Sequence, residues 1–400
     1  GLNSSKRLLQ LRDSTTLSAG INSSAASLGI GAVLKFEGAN LDYIQRVGFE
    51  PPSVDQTQVT CAPLPQRSML HVTGIGRLSK HEKTSNQADD TLGVDDLLVA
   101  MHTSQVPMAF SIGHQDGKAR VEFGTWLPKV SDTSALARHT TMLDSALRSL
   151  YPAIDIAPRQ PHTGRWPRGG LVLGVPTFKL PTDGGGVRQV DRLLRALAAR
   201  NWSALVLAQP IGNAAIRDLR LQLINEMRAV QTDTADVGAP SPLADSYLKI
   251  LGAQLETLNE GQGSGTWRTA VYILGDQAGF DEAAALWRGI YFGKDSSPEP
   301  LRVWSRVDVP ALAEAWALPD PRDTDDAPGY YRHPFQHQTL LNSAQLATYL
   351  QLPQQETHGF SITDVADFDV VTATPGAGDI ALGQVVERRR VSRQRYTFNP

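Results

Sequence analysis

The spacing of apolar residues changes several times along this chain, and each change predicts an element. Apolar runs at 30–36 and 41–49 flank Glu37-Gly38-Ala39-Asn40. They read as a hairpin, because Gly and Asn accept the positive φ of a tight turn. Residues 79–96 are polar and acidic, as expected of a surface loop. Runs at 106–112 and 118–126 flank Gln115-Asp116-Gly117, and Asp-Gly predicts a second hairpin. Leu136, Met142, Leu143, Leu147 and Leu150 then recur at helical spacing, predicting a helix over 134–150 that Pro152 closes.

A Pro- and Arg-bearing stretch at 157–168 separates this region from one with a different rhythm. A buried-type strand at 170–178 precedes a helix at 187–200 and a strand at 202–209. A helix at 214–230 follows, with Ile216, Leu219, Leu223, Ile224 and Met227 on one face. The next, at 241–258, opens on Ser241-Pro242, an N-cap residue followed by a first-turn proline. Then come a strand at 269–274, a helix at 281–291 and a short strand at 301–304. The order βαβ, two helices, βαβ is that of a split βαβ, ferredoxin-like domain carrying a helical insertion.

From 310 onward a polar, Pro-rich connector (320–331) leads to a helix at 344–350, capped by Asn342-Ser343 and ended by Leu352-Pro353. Strand-like segments follow at 359–362, 368–372, 380–387 and 394–398, predicting a small β-rich cap. The expectation is thus an α/β (α+β) protein in three regions. Residues 1–156 form an α+β domain of hairpins and helix, 157–309 the ferredoxin-like domain, and 310–400 the connector and β-rich segment.

Length and composition agree with several domains and a globular class: 400 residues, 41% hydrophobic and 20% charged. The net charge of −3 announces no global basic field for nucleic acid. A single cysteine, Cys61, cannot form an internal disulfide and fits a reducing, cytoplasmic setting. No run nears the roughly 18 apolar residues of a membrane helix, so an integral membrane protein is not expected. The chain begins without Met and stops just after a strand-like segment, and reads as a piece of a longer protein.

Catalytic motifs are scarce. Thr374-Pro375-Gly376-Ala377-Gly378-Asp379 has the glycines of a phosphate loop, but ends in a repelling Asp where Lys is needed. Gly184–Gly186 precedes a helix, an anion-friendly place, yet reads more simply as a strand-to-helix loop. Gly261-Gln262-Gly263-Ser264-Gly265 precedes a strand and reads as a linker. His333 and His337 are four apart, but Pro334 argues against the helix that would make them metal ligands. The remaining histidines are scattered, and Cys61 has no base near it in sequence. No catalytic, cofactor or metal residue is therefore assigned.

Arg388, Arg389, Arg390, Arg393 and Arg395 cluster in the last strand pair. They could contact a phosphate backbone or an acidic partner, or serve as a solvated edge that deters strand pairing. His162, Arg165, Trp166 and Arg168 make a weaker basic and aromatic patch, and Trp202, Trp267, Trp287 and Trp304 read as core.

The helix sequence at 343–353 (SAQLATYLQLP), then His358-Gly359-Phe360, Ile380-Ala381-Leu382-Gly383-Gln384-Val385 and Tyr396, resembles the segment preceding the motor in HerA–FtsK-class ATPases, including TraC-like ATPases. Residues 170–176, 202–210 and 265–268 resemble the amino-terminal part of such proteins more loosely. The resemblance implies a ring-forming homo-oligomer that drives DNA, or protein, through a pore, using ATP and Mg in a motor this chain does not contain. No Walker A loop occurs here, so no catalytic residue carries over. The implied role is that of a non-catalytic assembly and partner-docking region. The rival expectation is a stand-alone adaptor of a secretion, conjugation or phage-defence assembly.

Overall fold

The computed structural model describes residues 66–78, 92–127, 133–151, 153–159, 166–179, 187–237, 242–296, 300–318, 339–365, 380–387 and 390–398. The expected hairpin at 30–49, the strand at 368–372 and the connector at 320–331 lie outside these residues.

The first unit runs β1 (Arg67–Leu78), α1 (Leu92–Thr103), β2 (Met108–Gln115), β3 (Lys118–Trp126), α2 (Thr133–Leu150) and β4 (Asp155–Arg159). Asp116 and Gly117 join β2 to β3 with φ of 53° and 72°, the pair of positive values that a type I′ turn needs. β1 lies between β3 and β4, and β3 between β1 and β2, every pair antiparallel. The strand order is 4-1-3-2 with two helical crossovers, a split βαβ unit. One correction concerns α1, since residues 92–96 were expected in a surface loop. Val94, Leu97, Leu98 and Met101 are all buried at i, i+3, i+4 and i+7, and this stripe outweighs the intervening Asp95 and Asp96.

The second unit repeats the plan. It runs β5 (Arg168–Leu173), α3 (Gln189–Ala196), β6 (Trp202–Ile211), α4 (Asn213–Val237), α5 (Pro242–Ser264), β7 (Thr266–Gly275), α6 (Gln277–Tyr291) and β8 (Arg302–Ser305). Its strands are ordered β8-β5-β7-β6, all antiparallel, which is the ferredoxin-like arrangement with a helical insertion. The supposed glycine linker at 261–265 is instead the last turn of α5. The helix stops at Gly265, whose φ of 101° and contact with the His102 ring leave no room for a Cβ.

The two units join edge to edge. β2 and β6, the second strand of each, pair antiparallel from Met108↔Ala208 to His114↔Trp202. The sheet therefore reads 4-1-3-2 then 2-3-1-4, a twofold arrangement of strands. All four crossover helices bury their apolar stripes in one core with Val72, Phe110, Phe123, Trp202, Val206 and Ile273 of the sheet.

The chain then stitches both units together. A short helix α7 (Val309–Glu314) packs on the sheet's other face, with Leu171, Leu207, Tyr272 and Trp126. β9 (Thr339–Asn342) pairs with the start of β7, and α8 (Ser343–Ala347) follows under a capping box made by Asn342 and Gln345. Tyr349 stacks on Trp287 at 5.2 Å, and Leu346, Leu350 and Leu352 are buried in the main core. β10 (Ser361–Val365) then runs parallel to β1, so segment 339–365 completes a ten-stranded sheet drawing on all three sequence regions. β11 (Ile380–Glu387) and β12 (Arg390–Phe398) form a separate two-stranded sheet, the pairing expected at 380–398.

Candidate functional site

Two features of this frame exceed what the fold requires: a helical arm and a polar pocket. In the first unit β2 and β3 are joined by two residues. At the same place in the second unit stands the α4–α5 hairpin, with helices of 25 and 23 residues. The pair has its own core, in which Ile216, Leu223 and Val230 meet Ala244, Tyr247, Leu251 and Leu258. Tyr247 donates a hydrogen bond to Glu226 Oε1 at 2.9 Å across the hairpin. Away from that seam α4 exposes Arg217, Leu221, Gln222, Asn225 and Arg228, with Leu221 53% exposed.

The arm is anchored at its root. His102, at the end of α1, places Nε2 at 3.1 Å from the carbonyls of Ile211 and Thr266 and 3.2 Å from the Thr266 amide. Its ring meets Trp267 edge-on at 5.3 Å. Burial lowers its pKa, and the two carbonyls pull the other way. Asn342 Nδ2 donates to Glu260 Oε2 at 2.9 Å, tying α5 to the α8 cap. The histidine that reads in sequence as one of a scatter is thus the bolt between the first unit and the root of the arm.

The pocket lies on the sheet face that α7 only partly covers. Strand alternation aims His71 of β1, Arg120 and Glu122 of β3, Ser111 of β2 and Ser203 of β6 to that side, opposite Val72, Val121, Phe110 and Ala204. His71, Glu122 and Ser111 sit in one cross-strand row, and Arg120, Gly113 and Ser203 in the next. The cavity is about 80 Å³, and its walls include Trp166, Trp316, Leu205 and Leu274. Ser111 Oγ and Ser203 Oγ are 3.2 Å apart, and His71 Nδ1 is 3.9 Å from Glu122 Oε1. Burial pushes the Glu122 carboxyl up to about 7, against the pull of Arg120. Burial, then Arg120, lowers His71. At the rim Arg67 stacks over Trp316 at 4.9 Å and donates to the Glu314 carbonyl at 2.7 Å.

Sequence reading missed this pocket, because its strand residues come from five strands. The available signal was Arg120 and Glu122, two apart on one face of a strand. Trp166, read as part of a basic patch, is a pocket wall, while Arg168 lies over the Phe280 ring at 5.7 Å. Trp202, Trp267 and Trp287 are fully buried, as their core assignment requires, and Trp304 is partly buried beneath Arg302. Of the arginine cluster, Arg390, Arg393 and Arg395 belong to β12, with Arg390 opposite Glu387 and Arg395 opposite Gln384. Arg388 and Arg389 lie outside the described residues, as do Cys61, His162, Arg165, Gly184–Gly186, His333, His337 and the 374–379 loop. Among the described residues no group of three His, Cys, Asp or Glu could hold a metal ion, and no helix is long and apolar enough to cross a membrane.

Neither the known protein-family models nor the curated proteins give a match to this chain.

Proposed function

We propose that this chain is a non-catalytic assembly and docking platform, acting as the amino-terminal region of an ATP-driven DNA or protein translocase of the HerA–FtsK class. The observation that carries the docking role is the α4–α5 arm. It occupies a position that two residues fill in the sister unit, keeps a core of its own, and is pinned at its root by His102 of the first unit and by Asn342 of the 339–365 segment. A long, well-anchored projection that the sheet does not need is suited to bearing a partner. The translocase reading draws its support from the 343–353 resemblance, and the placement of that segment suits force transmission. Tyr349, Leu350 and Leu352 are set in the core both units share, so a pull on the chain beyond them would be borne by the whole sheet.

The experiment is made on the natural full-length protein. Intact mass and ATP hydrolysis test for the motor, and light scattering reads the assembly state. Residues 212–265 are then replaced by Asn-Gly, which the register Ile211↔Thr266 accommodates as a tight hairpin. A folded variant with ATPase retained but assembly or partner capture lost is the expected result. Unchanged assembly and capture in that variant would overturn the docking role. A full-length chain without ATPase activity would remove the translocase.

A further inference from the structure

We propose that the pocket between β1, β3, β2 and β6 is an oxyanion-binding site, taking a carboxylate or phosphoryl group through Arg120, Ser111, Ser203 and Glu122. The arm plays no part in this inference, which stands whether or not the docking reading does.

The first ground is the state of Arg120. The residue is half-buried and lines the cavity, yet it makes no hydrogen bond or ion pair among the described residues. A planar five-donor cation lining a small cavity is built to meet a bidentate oxygen pair. The second is the hydroxyl pair. Ser111 and Ser203 come from different units and meet at 3.2 Å, so one hydroxyl hydrogen can serve the other while the second turns into the cavity. The third is size, since about 80 Å³ has room for a carboxylate or a tetrahedral oxyanion. The Trp166 and Trp316 walls lower the local polarity and so strengthen whatever charge pairing forms inside.

Glu122 decides the character of the site. As an anion it would repel the ligand; as a neutral acid it donates a hydrogen bond to it. Its burial and its lifted proton affinity make the neutral form accessible near neutrality. Ligand binding then draws a proton onto Glu122, and affinity falls as that proton is lost. Among the described residues, the charged and titratable groups near Glu122 include His71 of β1, with Asp155 of β4 acting on it, Arg120 on the same strand, His114 of β2 in the cavity lining, and Arg67 and Glu314 at the rim. His71 is lowered from its ordinary value of 6.5, so it stays neutral through the alkaline range in which Glu122 ionises.

Acetate and sulfate serve as probes, because neither titrates between pH 7 and 9. Backbone amide shifts of Ser111, Gly113 and Ser203 would be followed by NMR at constant ionic strength. Saturable shifts with acetate, with sulfate or with both are expected, and the stronger probe tells a carboxylate ligand from a phosphoryl one. The dissociation constant should rise about tenfold per pH unit above 7. Arg120→Ala, at a partly exposed position that tolerates truncation, should abolish saturation while its thermal melt stays that of the wild type. Glu122→Gln should still bind, with the pH dependence flattened. Absence of saturable shifts with both probes would overturn the site. So would undiminished binding by Arg120→Ala, or an unchanged pH dependence in Glu122→Gln.

Discussion

Glu122 and His114 sit on the same sheet, are both nearly dry, and are displaced in opposite directions. Burial raises Glu122 to about 7 and lowers His114 to about 4, the latter with its Nδ1 lacking a hydrogen-bond partner among the described residues. From ordinary values of 4.5 and 6.5, each displacement corresponds to roughly 3 kcal/mol at about 1.4 kcal/mol per unit. Native Glu122 holds its proton more tightly than the unfolded chain does. Its contribution is therefore complete below about 4.5 and is lost as pH rises to about 7. Native His114 resists protonation, so its contribution is complete above about 6.5 and is lost as pH falls toward about 4. Between about 4.5 and 6.5 the two slopes oppose and largely cancel. Denaturant midpoints across pH 4 to 8 should thus vary little up to about 6.5 in the wild type. In Glu122→Gln they should climb through that range, with the protein more stable than wild type at pH 8. In His114→Phe they should instead fall from about pH 4.5 to 7. A flat profile in both variants would mean that neither group is as dry as its burial implies.

At the scale of elements, the arm separates two kinds of stability. Its hairpin core is a cluster separate from the main core, touched by the strand residues Ile211 and Leu340, so replacing residues 212–265 by Asn-Gly should leave the sheet folded. The variant loses the Asn342–Glu260 bond, the 3.5 Å contact of Gln345 with Thr257, the bonds from Ser343 to the Ser264 and Gly265 carbonyls, and the packing of Ile211 and Leu340 on the hairpin core. A destabilisation of about 1–3 kcal/mol is expected, visible as a lower Tm by circular dichroism with the strand signal retained. Removing the anchor is more local. His102→Ala removes the ring's contacts with the Ile211 and Thr266 carbonyls and the Thr266 amide, and should speed amide exchange at the root of the arm while leaving β3 and β1 protected. The same scale shows what was legible in sequence. The Asp116-Gly117 turn, the stripe of α2 and the four strands of the second unit all announced themselves, because each depends on neighbours within a few residues. α1 did not, since its apolar stripe is interrupted by Asp95 and Asp96 and its first residues look like loop. The 261–265 glycines misled, because Gly261 is kept small by a contact with Thr266 that exists only in three dimensions. The pocket stayed hidden for a similar reason. His71, Ser111, Glu122 and Ser203 become neighbours only through the registers of β1, β3, β2 and β6.

At the scale of the whole molecule, the β2–β6 seam holds the greatest consequence. Two units of one topology share a sheet through it, and a core on one face runs continuously across it. Segment 339–365 reinforces the union, pairing with β7 of one unit and β1 of the other. Such a chain should melt in one transition even though its sequence divides into regions of different rhythm. Gly113 tests this at one point. A Cβ there would lie 2.1 Å from the Trp202 carbonyl oxygen and 2.7 Å from the Ser203 Cα, both backbone atoms of the opposing unit. Neither can yield as a side chain can, so Gly113→Ala must push β6 away from β2. The expected cost is about 1–3 kcal/mol, the range of an overpacked interior. Its distinguishing sign is cooperativity, because a wedge in the seam loosens the joint and not either unit. Calorimetry of Gly113→Ala should show a broadened or split transition, with calorimetric enthalpy exceeding the van't Hoff value. The control Gly117→Ala, at a turn with open space around it but a φ of 72°, should lower Tm through backbone strain and keep a single sharp transition. Equal sharpness in both variants would mean that the two units cohere through segment 339–365, with the seam contributing little to their union.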